Sequence, residues 1–230
     1  MNIWDPFHPI AYFLHTSLGV AGIIGAIVAL SLTKGSPFHI RAGRTFAIAA
    51  AVAAATAIAF SFTSFAPMAV ASGVMTLSAV GSAFLALRSK SPRVTASEML
   101  TTSLMAFVLI WLLAGVAMSV RQGGVLWIPP LILACFPAAL LVNDVRFMRL
   151  DDIERKQKRL HRHLSRMAFA FAIAVHAPVV VFADDLNIHP GLAFYCPFLI
   201  WPVIVLYFRA RMRKGLYNSI VMNRLNVSAR

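Results

Sequence analysis

Polar residues in this chain fall in short clusters, separated by mostly apolar stretches of about 20 residues, the length at which a helix crosses the hydrocarbon core of a bilayer. Seven such stretches, near 9–32, 43–65, 67–88, 98–120, 125–147, 163–183 and 191–209, predict seven transmembrane helices. The expected fold is all-α, a polytopic membrane helix bundle, with residues 1–230 forming a single transmembrane domain that ends in a basic tail over 210–230. The narrowest break, from Ser64 to Pro67, is read as a real one because Pro67 suits the first turn of a new helix. Fusing its two neighbours would leave six spans and one overlong, kinked helix.

Charge decides between seven spans and six, because lysine and arginine concentrate in cytoplasmic loops. With seven, 20 of the 21 basic residues share one side: Lys34, Arg41 and Arg44, then Arg88, Lys90 and Arg93, then Arg146 to Arg166, then Arg209 to Arg230. Only Arg121 lies opposite, together with Asp5, Asp184 and Asp185. With six, this alternation is lost. The N-terminus is therefore expected outside and the C-terminus in the cytoplasm. Trp4, Trp127 and Tyr195 at outer ends and Tyr207 at an inner end fit the interfacial aromatic pattern.

Composition agrees with this picture. With 60% hydrophobic and 13% charged residues, the chain has too little polar surface for a water-soluble domain. Its formal net charge of +13 is clustered between spans instead of lining a groove, which excludes nucleic acid as the expected partner. The fitting partner is a bilayer with an anionic inner leaflet, crossed many times. No Lys or Arg precedes the first apolar stretch, which is also too long for a signal-peptide core, so the first helix should stay in the mature chain. Cys135 and Cys196 are expected at different depths, unpaired and packed as small apolar residues.

The spans differ in texture. Gly19, Gly22 and Gly25, the alanine-dense Ala47 to Ala59, and Gly73, Ser78, Gly81 and Ser82 let backbones approach closely, so the first three spans are expected to form one tight subdomain. The later spans carry Pro129, Pro130, Pro137, Pro178, Pro197 and Pro202. Carbonyls freed by these prolines must face protein or water, which suits an outward-facing cavity, although membrane helices also tolerate proline generally. Thr95 and Glu98 fit a capping box that accounts for Glu98 without a catalytic role. Asn143, Asp144 and Arg146 suit a local ion pair or a network with Arg44 and Arg166. The mixed-sign run Asp151 to Arg162 predicts a short amphipathic surface helix or a solvated linker.

Histidine carries the candidate chemistry. His15 lies about 9 Å inward from the outer end of the first helix and His176 about 10 Å from the same face on the sixth, at 1.5 Å per residue. His39 and His163 match in the same way at the inner face. His15 shares a helix side with Gly19, Gly22 and Ala26 and should face protein. Ionisable residues inside a membrane are functional candidates, and two histidines at one depth on different helices suit axial ligation of a haem b iron. The plainer reading makes each a neutral ring bonded to a nearby carbonyl or hydroxyl. His163 and His176 stand nearly opposite on their helix, so the inner pair supports a second haem poorly. Arg41, Arg44, Arg162 and Arg166 lie near helix N-termini, where amides and dipole favour an anion such as a lipid phosphate, a haem propionate or an acidic substrate. Solvated headgroup-level charges are again the plainer account. Phosphate-loop, paired-cysteine, zinc-helix and nucleophile-elbow motifs are all missing from the sequence, so it indicates no catalytic residue and leaves enzymatic activity open.

His15, the run His39 to Gly43 followed by Arg44, the pair Asp144 and Arg146, and the run Arg162-His163-Leu164-Ser165-Arg166-Met167 together resemble an uncharacterised bacterial family of predicted integral membrane proteins, a domain of unknown function. The resemblance spans most of the chain loosely. It implies that these positions matter to the family; His176 stands outside the pattern, and no activity comes with it. The leading expectation is a nonenzymatic or redox-accessory membrane protein, in its sharper form a haem-binding electron-transfer protein. The alternatives are a small-solute transporter, and an accessory subunit packing its small-residue face on a membrane-protein partner or a second copy of itself.

Overall fold

The computed structural model describes residues 8–64, 67–88, 95–123 and 128–213, and all regular structure among them is helical. Trp4, Asp5, Lys90, Arg93, Trp127 and most of the basic tail lie outside the described residues.

Helix starts follow from side chains that accept the orphan amides of a first turn. After α1 (His8–Ser31) the chain turns through Gly35, whose φ of 80° suits glycine. The Ser36 hydroxyl then accepts the His39 N–H at 3.2 Å and Pro37 opens α2 (Pro37–Ser64), where a missing N–H leaves nothing unpaired. α3 (Pro67–Arg88) also opens on proline. α4 (Ala96–Arg121) opens on the expected capping box, with Thr95 accepting the Glu98 N–H at 3.2 Å and Glu98 accepting the Thr95 N–H at 3.1 Å. α5 (Ile128–Met148) carries Pro137 in its buried interior. Asp151 accepts the Glu154 N–H at 2.8 Å and starts α6 (Asp152–Val181).

α6 departs from expectation. The polar run after Asp151 is neither a separate surface helix nor a linker but the opening of the sixth span, continuous through 30 residues. At 1.5 Å per residue that is about 45 Å, longer than a hydrocarbon core of about 30 Å. The last span departs the other way: α7 (Pro190–Tyr195) passes through a 3₁₀ turn, Cys196–Leu199, into α8 (Ile200–Arg213). Pro197 and Pro202 remove backbone donors in and just beyond that turn. Counting this broken span once, seven segments among the described residues are long and apolar enough to cross a membrane.

The chain forms two compact units, Met1–Thr56 with Met167–Arg230, and Ala57–Arg166. The first three spans are therefore not a subdomain of their own. In the first unit α1 and α2 form a close antiparallel pair: a Cβ added at Gly22 would meet Ala49 at 3.4 Å, and one at Gly25 would meet the Phe46 nitrogen at 3.1 Å. Phe46 also packs edge-on to Phe171 of α6, with centroids 6.3 Å apart. In the second unit α3 packs on α4, where the Ser78 hydroxyl donates to the Thr101 carbonyl and Gly81 faces the Thr101 methyl.

Exposure is inverted relative to a water-soluble protein. Phe13, Ile110 and Val203 are 68%, 67% and 64% exposed, while Glu98, Asp144, Arg162 and Arg166 are buried. Apolar surface outside and ions inside are what a lipid solvent requires; the chain is a multi-pass membrane protein. Cys135 and Cys196 are free, and exposed on the helices where close packing was expected.

Candidate functional site

In the first unit, His15 Nδ1 lies 3.0 Å from the Ala53 carbonyl and 2.9 Å from Thr56 Oγ1. The Thr56 hydroxyl donates its own proton to Ala53 O at 2.8 Å, so both neighbours accept and Nδ1 must carry the proton. In the neutral ring Nε2 is then the lone-pair nitrogen. His39 repeats the arrangement at the other end of the helix pair, with Nδ1 2.9 Å from the Ala29 carbonyl. Lys34 donates to Ala29 O at 2.8 Å and Leu30 O at 2.6 Å, capping α1, with the Phe208 ring 4.6 Å away. Burial, and then the nearby Arg211 charge, lower the Lys34 pKa to about 8.

His176 is different. No partner reaches its buried Nδ1 in full hydrogen-bond geometry, while the Phe194 backbone acts on the ring as a hydrogen-bond acceptor. The ring meets Phe194 edge-on and Phe198 at a tilt, both with centroids 4.9 Å apart, and Phe198 continues to Phe169 and Trp201. A buried polar atom left unpaired costs about 1–3 kcal/mol. Arg41 and Arg44 are exposed, and Arg41 lies over the Phe38 ring at 6.0 Å.

In the second unit, four charged side chains close on one another out of solvent. Arg162 binds Glu98 at 3.0 Å and Asp144 at 3.1 Å, and Arg166 binds the same Asp144 oxygen at 2.6 Å. Arg166 also donates to the Leu140 carbonyl at 2.8 Å, and Phe147 lies 4.5 Å from the Arg162 guanidinium. Helix geometry explains the convergence. Arg162 and Arg166 are four residues apart on one face of α6, Glu98 sits in the first turn of α4, and Asp144 in the last turn but one of α5, so antiparallel α4 and α5 bring both carboxylates to one end. His163 leaves that face to meet the Ala83 carbonyl of α3 at 3.0 Å. Arg162 and Arg166 thus find their anions within the chain, in Glu98 and Asp144. Among the described residues no group of three or more His, Cys, Asp or Glu side chains is placed to hold a metal ion.

The chain matches no family model, curated protein or solved structure in three comparisons.

Of the residues singled out from sequence, His15 and His176 fall in one compact unit, while His39 belongs to the first and His163 to the second. The role of Glu98 went beyond its capping box, and Asp144 found both arginines of α6. One signal was available: Glu98 and Asp144 are the only acidic residues inside the apolar spans, and a lone carboxylate at membrane depth needs a cation.

Proposed function

We propose that the chain is a redox-accessory protein of the bacterial inner membrane, oriented with its N-terminus outside, that holds a haem b between His15 and His176. The observation that carries this is the buried, unpartnered ring nitrogen of His176 in its aromatic nest. His15 supports it, because iron-ligating histidines donate their second ring N–H to a carbonyl or similar acceptor, and Ala53 O and Thr56 accept that proton here. A haem at this site would supply one-electron chemistry. The protein would contribute ligands, an apolar aromatic wall and exclusion of water. The family resemblance includes His15 but not His176, and it adds no activity.

The test is a visible spectrum of the purified, dithionite-reduced protein from cells supplied with haem. A reduced-haem band is expected. It should vanish in His15→Ala and in His176→Ala, and persist in His189→Asn, which keeps a side-chain acceptor at the α7 cap. A colourless wild-type protein overturns the redox reading.

One observation favours a second reading, a small-solute transporter. The seventh span is broken by a 3₁₀ turn with Pro197 and Pro202, and irregular backbone at membrane depth is tolerated where it is buried in protein or lines a cavity. Solute flux into vesicles that Pro197→Ala alters would support it, and flux equal to that of empty vesicles would remove it.

A further inference from the structure

His15, His39 and His163 each rest Nδ1 on a main-chain carbonyl, and His15 Nδ1 also meets the Thr56 oxygen. That oxygen is not free to change roles. Its proton is committed to Ala53 O at 2.8 Å, so towards His15 it can only accept. A main-chain carbonyl alone leaves a ring some freedom to pivot. Two acceptors 2.9 and 3.0 Å from one nitrogen fix both the ring plane and the proton. The hydroxyl, itself bonded to a carbonyl, is also polarised towards being a stronger acceptor.

We propose that Thr56 is a positioning residue for His15, holding the ring in its Nδ1–H form. The consequence for iron rests on the haem reading above, whereas the placement of the proton does not. A stronger acceptor on Nδ1–H makes the ring a more electron-rich ligand, which favours the ferric state and lowers the midpoint potential. The chemistry is confined to this chain's own atoms: one N–H, two oxygens and one lone pair.

The first measurement is solid-state nitrogen NMR of the histidine-labelled protein in lipid bilayers, with the His15 signals identified by their loss in His15→Gln. Wild type and Thr56→Ser should show a protonated Nδ1 and an unprotonated Nε2. Thr56→Val, nearly the same shape without the oxygen, should show a second population with the proton on Nε2. A wild-type Nδ1 without a proton, or a Thr56→Val spectrum identical to wild type, overturns the proposal. The second is redox titration of the haem band, where Thr56→Val should raise the midpoint potential and Thr56→Ser should restore it. An unmoved potential with the band intact also overturns the proposal. Absence of a band defeats the haem reading alone, and the NMR comparison then decides the role of Thr56.

Discussion

At the scale of the residue, Asp144 carries a concentrated electrostatic demand. One of its oxygens receives both Arg162 and Arg166, and its other faces the Thr102 hydroxyl at 3.5 Å. Two guanidiniums share this carboxylate out of water, with Glu98 a second anion for Arg162, and a buried ion pair loses far more from removal of one partner than it gains from formation. Asp144→Ala is therefore expected to destabilise the protein by about 3–5 kcal/mol, read by thermal unfolding in mild detergent. Glu98→Gln should cost less, since the amide oxygen can still cap α4 and Arg162 keeps Asp144. Replacing the network as a whole, with Leu at Asp144 and Met at Glu98, Arg162 and Arg166, should recover most of the loss. A loss equally large in that variant would mean that the charges contribute more than their own compensation.

At the scale of the element, the α1–α2 pair shows how close approach is set by single glycines. A Cβ at Gly25 would stand 3.1 Å from the Phe46 nitrogen and 3.2 Å from the Ala42 carbonyl, both backbone atoms that cannot yield without moving the helix. At Gly22 the nearest atom is the Ala49 Cβ at 3.4 Å, an ordinary contact. Gly25→Ala should thus cost about 1–3 kcal/mol by overpacking, while Gly22→Ala stays within about 0.5 kcal/mol. The two melting temperatures compared in one detergent decide it, and equal values would show that the pair can slide to make room. This packing was legible in part: the glycines pointed to a close helix neighbour, and the structure names α2 as that neighbour. Gly19, on the same side by helical period, has nothing within 4 Å of an added Cβ.

At the scale of the whole molecule, the proposed orientation rests on 20 of 21 basic residues sharing one side of a seven-span chain. A phosphatase that works only outside the cytoplasm, inserted at Asn187 in the turn between α6 and α7, should be active. The same enzyme fused after Arg230 should be inactive. The reverse pattern at either position would remove the proposed topology.

The sequence by itself determined the number of spans, the all-helical class and several helix starts. Each of these is a local quantity: a sum of hydropathy over about 20 residues, a backbone that must satisfy its own hydrogen bonds in lipid, or a cap such as Ser36, Thr95 or Asp151 three residues from the amide it accepts. Only the tertiary structure decided that Glu98 meets Arg162 across 64 residues of sequence, that His15 gives its proton to Ala53 and Thr56, and that His176 is left with a buried nitrogen unpaired. Those outcomes depend on which helix faces which and on atoms placed to within a few tenths of an ångström. Hydropathy carries no information on either, because a lipid-facing side and a protein-facing side of a membrane helix are both apolar.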